Sequence, residues 1–527
     1  MSSSTSLGKR QWNSTWDGLP REIRLLILEA LMQDGCTLSR LATVSREWQT
    51  DLERYNFARI KLTPSRLVDF SSMISRNRAL VRYIWFCLEL EDYDCSRCVS
   101  DYRSFTYDEL EELFAVSDTK SGPITTAFQT LFSVLSTWDP SSNITLDISI
   151  FSPSDSKHWF KYLTFMPDTP SDMLGGSGIK QTILDKAYDD PRHGWVAGFP
   201  RSAPPRLAIL KLFHPVMEEG PFDSDELELQ WWDQLPPVPA VASLLLRQQN
   251  RRRWKLVSLA HMLARFPKLQ EVHYEPWREW NVWQNLTDKA YQYLFKSILR
   301  SNTKLKRLVV FENFNQQYPA IVQRFQFGED SIKCDNFRKP SLAVSRMVAL
   351  ASRELEHLAA SFIVDASHFF GIPLCWEWPN LTSLVITSKL LRPDGNSVEI
   401  GSMLQAAAAT AMKMPQLKTM EIWNGRKGLA ALFKYHAFRN IRQATLTWRA
   451  TWELTMEPST IQAWKAVANQ HGGRWRLDLV RERLDEAAIK SHGDAIHYLM
   501  LTNQVIRPVS LQQIRIEQEA LEGVRTV

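Results

Sequence analysis

LTSLVI, residues 381–386, puts Leu381, Leu384 and Ile386 at the apolar positions of a Leu-x-x-Leu-x-aliphatic pattern and follows the turn residues Trp378, Pro379 and Asn380. Alternation of this length, opened by Pro and a polar residue, predicts a short strand. Read with latitude, the pattern recurs as LAILKL at 207, LQEVHY at 269, LKRLVV at 305, LEHLAA at 355, LKTMEI at 417 and IRQATL at 441. Comparable turns precede three copies, at Phe266-Pro267-Lys268, Ser301-Asn302-Thr303 and Met414-Pro415-Gln416.

Between the copies the apolar residues take helical spacing: VSLAHMLARF at 257, AYQYLFKSILR at 290, AVSRMVALASR at 343, GSMLQAAAATAMKM at 401 and IQAWKAVANQHG at 461. Two earlier pairs keep the order, PSRLVDFSSMISRN before VRYIWFCLEL and PITTAFQTLFSVLSTW before NITLDISIF. Helix-strand units stacked side by side predict an α/β fold, with a parallel sheet on one surface and helices on the other, in an arc of leucine-rich-repeat type over residues 61–480. The copies start at uneven intervals, so loops are expected between them, at 166–205 and at the acidic, Pro-ended 218–239. Residues 481–527 are expected to form a C-terminal helical cap.

The N-terminal region has another character. In LPREIRLLILEALM, residues 19–32, the residues Ile23, Leu26, Ile27, Ala30 and Leu31 make one apolar stripe, and Leu25, Leu28 and Met32 make a second, nearly opposite. Pro20 suits a first helical turn, and Asp34 and Gly35 end the helix. Leu38, Leu41, Val44, Trp48 and Leu52 then recur at helical spacing, with Ser45 placed to cap. Three short helices in residues 16–60, after a polar tail at 1–15, sit at the low end of what folds alone. One stripe can pack on the other two helices; the second, assigned to Leu25, Leu28 and Met32, is left over.

Leu19-Pro20-x-Glu22-Ile23, then Ile27, Leu31, Leu41, Val44-Ser45 and Trp48, resemble an F-box. Together with the following arc and the REWQTDLERYNFARIKLTPSRLVDF segment, the chain is similar to the long F-box proteins of filamentous fungi. The resemblance implies a non-catalytic substrate receptor of an SCF-type cullin-RING ubiquitin ligase. Its Skp-type adaptor, and through it a cullin, would be met by Leu19, Pro20, Ile23, Leu25, Ile27, Leu28, Leu31, Met32 and Trp48. The other reading is a repeat scaffold outside any ligase, whose F-box-like helices pack internally. Burying each large apolar side chain contributes about 1.5–3 kcal/mol in either case, so energetics alone do not separate the two.

If the pattern residues of each strand point into the core, those between them face an open concave surface. Lys211, Phe213, His273, Arg307, Phe311, Thr387, Glu421 and Trp423 are then the substrate-binding candidates. Several of the 20 Trp, among them Trp277, Trp280, Trp283, Trp423, Trp448 and Trp452, fall at or just past strand ends. Exposed aromatics and Arg anchor interfaces, while buried ones fill a core.

Composition narrows the partners. A chain of 527 residues with 44% hydrophobic, 23% charged and a formal charge of +5 is ordinary for a globular protein and gives no expectation of nucleic-acid binding. The longest apolar runs, at 238–246 and 404–412, are short of a membrane span, and a cytoplasmic or nuclear location is expected, with no membrane partner and no cofactor. No nucleophile elbow, phosphate-binding loop or zincin helix occurs. Cys95-x-x-Cys98 reads either as half a zinc site or as a reduced loop, and Arg251-Arg252-Arg253-Trp254-Lys255 either as an import or phosphate-binding cluster or as a solvated helix start.

Overall fold

The computed structural model describes residues 16–33, 41–94, 121–168, 189–202, 204–217, 221–222, 224–278, 284–315, 318, 338–371, 375–470, 472 and 475–522. The fold is mixed α/β and is built on one large, mostly parallel sheet. Its twelve strands lie in sequence order: β1 (Arg59–Leu62), β2 (Tyr83–Glu89), β3 (Ile144–Phe151), β4 (Val241–Leu246), β5 (Glu271–Tyr274), β6 (Arg307–Phe311), β7 (His357–Asp365), β8 (Ser383–Thr387), β9 (Thr419–Arg426), β10 (Leu429–Phe438), β11 (Gln443–Ala450) and β12 (Arg476–Arg483). Only β10 runs against its neighbours, pairing antiparallel with β9 and β11. The β9–β10 turn carries Gly428 at φ +70°, a left-handed conformation that costs glycine little. No helix among the described residues is long and apolar enough to cross a membrane.

Six copies of the pattern enter the sheet, and their pattern residues face the helices. Leu305, Leu308 and Val310, Leu381, Leu384 and Ile386, and Leu417, Met420 and Ile422 are all buried in the main core. The covering helices include α7 (Leu256–Ala264), α8 (Gln284–Ser301), α9 (Leu342–Ala351), α11 (Ser397–Ala411) and α12 (Pro458–Asn469). A repeated irregularity starts β6, β7, β8 and β9. The Gln270 carbonyl accepts from both Lys306 and Arg307, the Lys306 carbonyl from Glu356 and His357, the Glu356 carbonyl from Thr382 and Ser383, and the Thr382 carbonyl from Lys418 and Thr419. Two residues thus face one at each of these four strand starts, which sets the second residue of these copies at the lip of the sheet.

The seventh copy is not a strand. LAILKL lies in α5 (Arg206–Leu212), because Pro204 and Pro205 set a helix start and Ile209 and Leu212 bury one helical face. The strand at this place comes from VPAVASLLL, as β4, whose near-continuous apolar run suits a strand covered on both sides. Residues 218–239 also differ from the expected loop. Ser224 caps α6 (Asp225–Gln234), and Trp232 on that helix is wholly buried in the main core.

The second face of the sheet is covered over much of its area, which corrects the open concave surface expected there. Phe160, Tyr162, Leu163, Trp195 and Phe213 form one cluster, and Tyr83, Trp85, Phe151 and Leu245 form another on the β2–β4 side. Farther along, α13 (His492–Leu499) and α14 (Pro508–Glu522) seal Val309, Phe311, Val385, Trp423 and Leu432. These strands are apolar on both sides, so leaving either face in water would forgo burial of large side chains.

His492 marks how dry this second core is. Its Nε2 meets Asn313 Oδ1 at 2.8 Å, its ring stacks on Phe314, and burial holds its pKa down to about 3 against 6.5. The unfolded chain takes up the proton near 6.5 and the folded chain near 3, so this contribution is whole above pH 6.5 and is lost as pH falls toward 3. A loss of about 2 kcal/mol is expected by about pH 5. Urea unfolding across pH 4–7 checks it: His492→Gln should flatten the slope, and an unchanged slope would mean that His492 is not the group responsible.

Candidate functional site

The N-terminal unit sets its own rotation. α1 (Arg21–Gln33) and α2 (Arg46–Ala58) are joined by Arg24 Nη1 to Glu47 Oε2 at 2.7 Å, and Trp16 Nε1 donates to the same carboxylate at 3.3 Å. Trp16 packs on Trp48 with ring centroids 4.8 Å apart, and Ser45 caps α2 by accepting from Trp48 N. Leu28 follows Arg24 by four residues, so it lies on the same helix face and turns inward, where it is 1% exposed. The two stripes therefore exchange roles. Leu28 is buried and Leu25 and Leu31 are half-buried, while Ile23, Leu26 and Ile27 are 42%, 59% and 37% exposed, with Ala30 beside them. Pro20 is exposed and Leu19 and Trp48 are half-buried. The side chain of Met32, like residues 34–40, lies outside the described residues.

On the α/β body most of the candidates chosen from sequence are interior. Phe213, Phe311, Thr387, Glu421 and Trp423 are buried, Phe311 and Trp423 beneath the C-terminal helices. His273 is also buried, with Nε2 2.7 Å from Glu271 Oε1. Burial pushes the Glu421 carboxyl up, while it accepts from Thr502 N at 2.8 Å and meets Lys434 Nζ at 3.7 Å. Lys211 is on α5 rather than a strand, its ammonium 4.0 Å over the Tyr93 ring. Arg307 alone of the strand candidates stays accessible, about one third exposed and 3.3 Å from Glu271. Arg307, Phe311 and Trp423 therefore do not share an open face.

Among the described residues, what the second cores leave partly accessible is a strip along the starts of the strands, half-buried at most positions and buried at Ser383 and Thr419. Its row reads Glu271, Arg307, His357, Ser383, Thr419, His436 and Thr445, in register from β5 to β11. Lys306, Glu356, Thr382, Lys418 and Arg442 line its lip. His357 and His436 were not among the candidates chosen from sequence; a signal existed for His357, whereas His436 lies on β10, which is not a copy of the pattern. The second and third positions of the six copies that form strands are QE, KR, EH, TS, KT and RQ, polar every time.

The arginine cluster is not a solvated helix start. Arg251 Nη2 meets Glu517, Arg252 lies 3.6 Å from Asp155 and donates to the Lys211 carbonyl, and Arg253 stacks over Phe213. These arginines border a cavity of about 50 Å³, with Arg247, Glu275, Trp277 and Tyr291. Each of Arg247, Arg251 and Arg252 already faces a carboxylate, so the cavity is charge-balanced rather than an anion trap. Trp448 is buried with Nε1 on the Trp452 carbonyl and fills the interior, while Trp277 is half-buried against the second core with Nε1 donating to the Gln248 carbonyl. Trp280, Trp283, Cys95 and Cys98 lie outside the described residues.

Residues 300–507 match DUF6546, a family of unknown function. The matched span runs from the end of α8 through β6–β12 to the threshold of α14, and so takes in much of both cores. No curated protein matches the chain.

Proposed function

We propose that the chain is the substrate-recognition subunit of an SCF-type cullin-RING ubiquitin ligase. In this reading residues 16–60 are an F-box docking on a Skp-type adaptor, and the rest is an irregular leucine-rich-repeat-like solenoid that carries a protein target. One observation supports it above the others: Ile23, Leu26 and Ile27 form an apolar strip beside the exposed Pro20, and no described part of the chain seals it. Each is already partly covered, so covering what is left of the three contributes about half of the ~1.5–3 kcal/mol that full burial gives per side chain, still enough to favour a partner. The scaffold reading, with these helices packed internally, draws support only from Leu28, which the unit buries for itself.

Capture of a purified Skp-type adaptor by the full chain tests the proposal. Ile23→Asp with Leu26→Asp is expected to weaken capture by about a hundredfold, since two charges would have to be buried without partners. Both residues are exposed, so circular dichroism and the unfolding midpoint should not change. Leu19→Ala with Pro20→Ala should weaken capture by a smaller factor. Failure of the unmodified chain to bind the adaptor would favour the scaffold.

A further inference from the structure

We propose that the polar strip along the starts of β6–β11 docks a carboxylate-rich protein segment, about seven residues long and lying across the strands. The length follows from the sheet: five strand spacings of about 4.8 Å span about 24 Å, which an extended segment covers at about 3.3 Å per residue.

Charge chooses the occupant. The strip and its lip carry Lys306, Arg307, Lys418 and Arg442 as cations, with Lys434 one row in, in register with Glu421. Against them stand Glu271 and Glu356, with Glu421 buried below. Lys306 pairs with Glu356 at 3.0 Å, Arg307 with Glu271 at 3.3 Å, and Lys434 reaches Glu421 at 3.7 Å. Lys418 and Arg442 are exposed and make no ion pair among the described residues, which leaves net positive charge toward β9 and β11.

Burial is the main cause that holds both histidines of the strip below their ordinary range; Arg307 and Lys418 add to it at His357, opposed by Glu356 and Glu271, and Lys434 adds to it at His436. Both rings are therefore neutral near pH 7 and offer a donor without adding to the charge already there. Ser383 and Thr419 supply hydroxyls on the floor between them, with Thr419 Oγ1 2.9 Å from His436 Nδ1. The C-terminal cap meets the next row in, where Thr502 N donates to Glu421, and so borders the strip on its inner side.

In the receptor reading this strip is where the target docks, and that assignment rests on the reading. The binding itself does not, and it is measured without an adaptor. Fluorescence anisotropy of a labelled hepta-glutamate peptide with the full chain should show saturable binding that weakens steeply with salt. Lys418→Glu with Arg442→Glu should weaken it about tenfold, while Lys289→Glu with Lys296→Glu, the same charge change on exposed positions of α8, should leave it within about twofold. No binding of the peptide, or equal losses in the two variants, would overturn the proposal. So would tighter binding of a single-stranded RNA of similar charge, which would make the strip a nucleic-acid surface. None of these results bears on adaptor capture through α1.

Discussion

Trp423→Ala is expected to destabilise the protein by about 3–5 kcal/mol, the range for emptying a buried indole site that cannot collapse. The side chain is fully buried on the second face of β9, 5.0 Å ring to ring from Phe362 and in register with Leu432 on β10. Collapse is blocked because the strand and the cap helix are already close. A Cβ on Gly425 would stand 2.5 Å from the Ala495 Cβ and 3.2 Å from the Trp423 ring. Phe362 is itself held at φ +63°, a conformation costly for a bulky residue, by its packing on Phe311, Phe314 and Trp423 and by its N–H bonding Thr387 Oγ1. Removing the indole should loosen the C-terminal helices first. The urea midpoint should fall and limited proteolysis should begin to cut within 485–507. A change of less than about 0.5 kcal/mol, the range for an exposed site, would mean that α13 does not cover this face.

The helix-side core was legible because six of the twelve strands repeat the same short pattern, and short patterns are what a sequence displays. The one copy that became a helix, LAILKL, could also have been told apart, since Ala208 and Ile209 stand where the other six copies carry polar pairs. The second face was not legible. Val309, Phe311 and Val385 say that something covers them, but the cover arrives from nearly two hundred residues away in sequence, as in the bond of His492 to Asn313. The apolar run of a doubly covered strand is the only local trace of such a cover. At the N-terminus the two stripes of α1 were plain, but their assignment turned on the pairing of Arg24 with Glu47, which periodicity does not reveal. Asp147 misleads in the same way. Within NITLDISIF it looks like the outward residue of an alternating strand, yet it is fully buried.

That aspartate motivates the second large effect: Arg247→Met is expected to cost about 3–5 kcal/mol, because it leaves the carboxylate buried without its counter-charge. Arg247 Nε lies 3.0 Å from both Asp147 oxygens, Nη1 bonds Gln249 Oε1 at 2.9 Å, and Nη2 bonds the Met166 carbonyl at 2.8 Å. The Tyr83 hydroxyl donates to Asp147 and accepts from Asp168 N; Asp168 in turn pairs with Arg507, whose N–H bonds Glu275 at 2.7 Å. The network therefore joins β2, β3 and the residues just past β4 and β5 to the residue that precedes α14, and it fastens the cap with charges as well as apolar surface. Adding Asp147→Leu to the variant tests whether the pair acts as a unit. Replacing a whole buried ion pair by apolar residues is often close to neutral, so the double variant should recover about 2 kcal/mol of the single variant's loss in urea unfolding. Recovery stays incomplete because Tyr83 and the Met166 carbonyl keep no partner from this pair. If the two changes simply add, the carboxylate and the guanidinium are not coupled, and this pair does not act as a unit.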